Sequence, residues 1–196
     1  VQMVRLRAKE WQKRHELKDP KVNREKYLRE IDGLVYGDDP LQGYVEDNIF
    51  YHPVLRFQFP VPVRWKIHNR PSQVQMINER EDAILVFSLT TAPSSREAAR
   101  TFLTKTGALV VRSEDILVNG LPSHRLISDI QTRKGVFRVM SYFIEKDRKI
   151  YLFHGLTSNE LFQSYRGLFE NTMRHFRELT DHRKINVRPD RIRIRT

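Results

Sequence analysis

Apolar and polar residues alternate along FYHPVLRFQFP, where Leu55, Phe57 and Phe59 are separated by Arg56 and Gln58. Period two predicts a strand with one buried and one wet face. The same period predicts a strand over Tyr44–Tyr51 and shorter ones over Trp65–His68 and Val74–Asn78. Pro60 and Pro62 can donate no ladder hydrogen bond, so the strand before them stops there. The run AILVFSL (Ala83–Leu89) is short and almost wholly apolar, which predicts a central strand covered on both faces. Leu109–Val118 and His124–Gln131 flank the turn pair Asn119-Gly120, and Val136–Ile144 and Ile150–Leu156 flank the charged tip 145–149.

Helical spacing appears in four places. Residues 1–18 place Val4, Ala8 and Trp11 on one stripe until Asp19-Pro20 ends the helix. Asn23 can cap a second helix carrying Tyr27, Leu28, Ile31 and Leu34, closed by Gly33 and the turn Gly37-Asp38-Asp39-Pro40. Ser94 with Glu97 makes a capping box ahead of Ala98, Ala99, Phe102 and Leu103, and Gly107 stops that helix. A last helix is predicted over 159–179, with Leu161, Tyr165, Leu168, Phe169, Thr172, Met173, Phe176 and Leu179 on its stripe. Together these predict an α+β fold: an antiparallel sheet of six or more strands, flanked by helices and preceded by two N-terminal helices. The chain divides into a helical connector (1–43), an α+β domain (44–180) and a basic extension (181–196).

Charge changes the picture less than its total implies. The 196 residues carry a formal net charge of +11. Residues 1–30 hold ten Lys/Arg against five Asp/Glu, and residues 182–196 hold six against one. The intervening 31–181 hold 19 against 18. A nucleic-acid-binding domain should carry its basic face on its folded core, so no specific nucleic-acid partner is expected. No apolar run is long enough to span a membrane as a helix. With no Cys, disulfides, thiolate metal sites and Cys nucleophiles are excluded.

Candidate chemistry is sparse. The nearest approach to a zinc-binding HExxH helix is His15-Glu16-Leu17-Lys18-Asp19, which lacks the second His. The other histidines share no ligand spacing. His52, between Phe50-Tyr51 and Pro53, reads as a hydrogen-bonded corner residue, and His154 as a satisfied core residue. Ser88, Ser123, Ser128 and Ser141 stand without elbow glycines, and no phosphate-binding glycine motif occurs. No paired nucleophile and base is expected, so no catalytic residue, metal ligand or cofactor is assigned. The aromatic residues Phe137, Tyr142, Phe143, Tyr151 and Phe153 read as sheet core rather than a base-stacking platform.

Three stretches resemble a known family. REKYLREIDGLVYGDDPLQGYV (Arg24–Val45) is similar to the connector after the catalytic domain of bacterial HtpX-like, CAAX-prenyl-protease-like zinc metalloproteases. FYHPVLRFQFPVPVRWKIHNRPSQV (Phe50–Val74) resembles the first strands of the module that follows it. FENTMRHFRELT and INVRPDRIRI resemble its closing helix and exit. The family's Gly-Trp at the second strand is replaced by Arg64-Trp65. That module resembles the PsbP-like α/β/α sandwich, known mostly as a non-enzymatic binding domain. The resemblance implies a non-catalytic accessory domain of a periplasmic, cell-envelope zinc protease, with protein partners or substrates. The zinc-binding helix would lie upstream of Val1. Val4, Ala8, Trp11, Tyr27 and Leu28 form the expected contact with that upstream catalytic domain. A stand-alone PsbP-like scaffold without a protease is the alternative.

Overall fold

The structure, a computed structural model, describes residues 40–187. The two N-terminal helices, the surface of Val4, Ala8, Trp11, Tyr27 and Leu28, the His15–Asp19 near-match and the Asp38-Asp39 turn lie outside these residues.

A short 3-10 turn (Pro40–Gln42) leads into β1 (Tyr44–Glu46), β2 (Ile49–His52), β3 (Phe57–Pro60), β4 (Lys66–Arg70), β5 (Gln73–Ile77) and β6 (Ala83–Thr90). Helix α1 (Ser95–Thr106) connects to β7 (Leu109–Val118), β8 (Leu121–Thr132), β9 (Gly135–Lys146) and β10 (Lys149–Ser158). Then follow α2 (Phe162–Arg174), the two-residue β11 (Arg177–Glu178) and the one-turn α3 (His182–Ile185). All strand pairs are antiparallel, in two sheets rather than one: β1-β2-β3-β11, and β4-β5-β6-β10-β9-β8-β7. The α+β class stands.

The large sheet is the middle layer. On one face α1 buries Ala98 and Ala99 against Leu126, Phe143 and Ile150. On the other, α2 and the small sheet bring Phe57, Phe59, Phe169 and Phe176 onto Phe87, Tyr151 and Phe153. Each such aromatic ring, taken fully from water, contributes roughly 1.5–3 kcal/mol. Phe169 reaches the sheet because β10 carries Gly155, where a Cβ would meet the ring's Cδ2 at 2.7 Å.

Three expectations are corrected. Tyr44–Tyr51 is a hairpin, not one strand: Asp47 and Asn48 both take positive φ (52° and 56°), and β1 pairs with β2. Asp and Asn tolerate that conformation, and two such residues make a tight hairpin turn. β6 is covered fully on one face only. Ala83, Leu85 and Phe87 are buried, but Ile84 and Val86 are half-buried, because α1 lies over β7, β8 and β9 instead. The final helix stops at Arg174. Phe176 and Leu179 are buried at helical spacing, but Arg177-Glu178 between them pairs with Gln58-Phe57 as an edge of the small sheet. An i, i+3 spacing fits a helix, and here a turn and a short strand satisfy it as well.

Candidate functional site

The hairpin β7–β8 assembles a polar network on the face that carries α1. Asp115 lies directly across from His124, and Ser113 is two residues before Asp115 on the same face. His124 Nε2 is 2.8 Å from Ser113 Oγ, and its Nδ1 is 2.7 Å from Asp115 Oδ1. The second carboxylate oxygen of Asp115 accepts from the Arg96 guanidinium on α1. Hydrogen bonds from His124 and then from Arg96 hold the Asp115 carboxyl below the usual range. An ionised carboxylate only accepts, so His124 Nδ1 carries the proton that faces it. With the proton on Nδ1 alone, Nε2 is an acceptor for the Ser113 hydroxyl. The imidazole is 6% exposed, whereas Ser113 and Asp115 are exposed.

A β-bulge sets this phase. Val110 pairs with Ser128 and Arg112 with Ile127, so one residue of β7 is extra at that point. Val110 and Ser113 therefore share a face despite their odd spacing. Such a bulge locally re-aims side chains on an edge strand. The search for serines at glycine elbows missed Ser113, which the structure places 2.8 Å from His124 Nε2. The signal available was Ser-x-Asp on one strand with a His nine residues after the Asp, across an Asn-Gly turn.

Two clefts open beside the network. One, of about 690 Å³, has apolar walls from Ile116, Leu117 and Pro122 and polar ones from Ser94, Ser95, Ser123 and Glu145. The other, of about 440 Å³, is lined by Ser113, His124, Ala99, Arg100 and Leu103; Arg96 and Asp115 border both. The α1 N-terminus is fixed over the first cleft. Ser94 Oγ accepts from Glu97 N at 3.2 Å, the N-cap half of the expected capping box, while the Glu97 carboxylate accepts from Arg100 and Glu145 Oε1 accepts from Ser95 N at 2.6 Å.

Behind the network, on the α2 face, Arg125 is 6% exposed and donates to Glu114 and, at 3.3 Å, to Glu170 on α2. This buried guanidinium braces β7, β8 and α2 together. β7 is the last strand of the large sheet, and no described strand pairs with its outer side. Leu109 (71% exposed), Val110 (53%), Val111 (50%) and Leu117 (72%) lie open along it.

The other sequence candidates stay apart. His52 Nδ1 accepts from Leu55 N at 3.2 Å and packs against Phe57, and burial lowers its pKa, as suits a corner residue. His154 is held by Ser141 Oγ at 2.8 Å and stacks under Phe102. Tyr142, Phe143, Tyr151 and Phe153 are buried core. Among the described residues no group of three or more His, Asp or Glu is placed to hold a metal ion. None of the described helices is long and apolar enough to cross a membrane.

No protein-family model matches the chain, and no curated protein sequence matches it. Solved structures do. The cyanobacterial PsbP protein CyanoP from Synechocystis sp. PCC 6803 superposes with a TM-score of 0.56 at 13% identity, over 66% of this chain and 91% of that one. A protein from Bacteroides thetaiotaomicron VPI-5482 gives 0.50 at 10% identity, over 70% of this chain and 50% of that one. The Ran-binding protein Mog1p from Saccharomyces cerevisiae gives 0.49 at 10% identity over 69% and 97%, a score too low to bear on the fold. At these identities likeness speaks for architecture and not for activity, and the architecture of the described module is PsbP-like.

Proposed function

We propose that this chain is a protein-binding accessory module that serves a zinc metalloprotease on the periplasmic side of the bacterial cell envelope, positioning the enzyme or its substrates. The observation that carries the binding part is the outer edge of the large sheet. β7 is ten residues long, ends the sheet and exposes Leu109, Val110, Val111 and Leu117. A free edge with apolar side chains can receive an extended segment by strand addition, with main-chain hydrogen bonds for affinity and side-chain contacts for specificity. The clefts beside the edge offer places for alternate side chains of such a segment. The protease part rests on the resemblance of residues 24–45 and 50–74 to the connector and module of HtpX-like enzymes. The zinc and its ligands would belong to the upstream catalytic domain.

The test is titration calorimetry of this chain against a separately produced HtpX-like catalytic domain, with Val111→Lys and Trp11→Ala variants. Binding weakened at least about tenfold by Val111→Lys supports the edge as the docking strand, because a charge on an edge opposes strand addition. Weakening by Trp11→Ala supports the N-terminal stripe as a second contact. No binding at high micromolar concentration overturns the protease reading. Binding indifferent to both variants overturns both surfaces.

A further inference from the structure

We propose that Ser113, with His124 as its base and Asp115 orienting that base, is an acyl-accepting nucleophile for small uncharged esters with a short aliphatic acyl group. Ser113 Oγ is exposed and lies 2.8 Å from His124 Nε2, while His124 is buried and fixed by Asp115 Oδ1 at 2.7 Å. A nucleophile touching a base, and a base oriented by a third group, is the arrangement that activates a hydroxyl. Arg96 donates to the other Asp115 carboxylate oxygen, which ties this carboxylate to α1. Ser113 opens into the 440 Å³ cleft, which is large enough for a small ester. The adjoining 690 Å³ cleft supplies Ile116, Leu117 and Pro122 as apolar walls for the acyl chain, and Arg96 and Asp115 border both spaces.

In the reaction the Ser113 Oγ–carbonyl bond forms as its proton passes to His124 Nε2. The ester C–O bond then breaks, and the same proton leaves with the departing alcohol. Water attacks the acyl-serine with His124 again taking the proton, which returns to Ser113 as the carboxylic acid departs. β7 is an edge strand, and such a strand leaves alternate backbone N–H groups without ladder partners.

The experiment uses the full 196-residue chain. It is incubated with a fluorophosphonate probe and, separately, with p-nitrophenyl butyrate, followed by intact-mass measurement and peptide mapping. The expected result is one adduct per chain on Ser113, none in Ser113→Ala, and labelling slowed about a hundredfold in Asp115→Asn. The ester should release a burst of one equivalent of nitrophenolate with the same dependence. Ser113 and Asp115 are exposed, so both variants should fold, which a thermal melt checks. No adduct, an adduct that persists in Ser113→Ala, or Asp115→Asn labelled at the unmodified rate would overturn the proposal. The network would then be only a strut between α1 and the sheet.

Discussion

Two Ser–His pairs lie on the same face of the large sheet, and their surroundings separate them. Ser113–His124 has Asp115 on the second ring nitrogen and opens to a cleft. Ser141–His154 has no carboxylate on its ring among the described residues and is enclosed by Phe102 at 4.7 Å and Phe143 at 5.8 Å. Burial without an opposite charge pushes the His154 pKa down to about 4 from 6.5. The unfolded chain therefore binds a proton near pH 6.5 that the native ring refuses until about pH 4. In that window the unfolded state holds more protons, so this residue's contribution is present above pH 6.5 and is lost as pH falls towards 4. The loss expected by pH 4.5 is about 2 kcal/mol, below the full value of the shift because the ring keeps some solvent contact. Urea unfolding at pH 7 and 4.5 measures it. His154→Gln, which keeps a partner for Ser141, should flatten the pH dependence by that amount. His52, also lowered by burial, acts in the same window with the same sign, and the depressed carboxyls of Asp82, Glu114, Asp115 and Asp129 begin to contribute near its lower end, so the share of His154 is the part of the pH dependence that His154→Gln removes.

At the scale of elements, much of the sheet was legible. The α1 boundaries followed from Ser94, Glu97 and Gly107, each with a direct geometric role: the N-cap bond, the first turn, and a left-handed C-cap with φ of 66°. The β7–β8 turn followed from Asn119-Gly120, both at positive φ. What escaped was whatever depended on partners distant in sequence. The division into two sheets is one case, since alternation marks a strand but not its neighbours. The short β11 is another, because Phe176 and Leu179 fit a helix stripe equally well. The Ser113 site is the third. It needs the β7 bulge to set the face and the hairpin register to place His124, and neither is written in local composition. Gly155 was silent for the same reason, being an ordinary strand glycine until α2 lays Phe169 on it. Gly155→Ala should cost about 1–3 kcal/mol by forcing that ring off the sheet. Chemical denaturation checks it. A cost below about 0.5 kcal/mol would mean that α2 is able to shift outward without loss.

At the scale of the molecule, the described residues enclose a middle sheet with a helix on one side and a helix plus a small sheet on the other. That arrangement gives the α1 face to the polar network and clefts, and the α2 face to the aromatic core. Arg125 joins the two, lying at the back of β8 next to His124 at its front. The two ends of the module also meet. Tyr44 Oη donates to the Lys184 carbonyl at 3.2 Å, and Lys184 Nζ lies 2.6 Å from Glu46. A segment entering at Pro40 and one leaving at Val187 are thus held at one corner of the small sheet. Such a unit can be spliced into a surface loop of a host protein without prising that loop apart. It also tolerates being rewired. A circular permutant that joins 187 to 40 through a short Gly-Ser bridge, and opens instead at the exposed Asp147-Arg148 tip, should keep a melting temperature within about 5–10 °C of the parent, a shift worth about 2–3 kcal/mol. A permutant that fails to fold would show that the order of strand synthesis, rather than the closure of the ends, governs assembly.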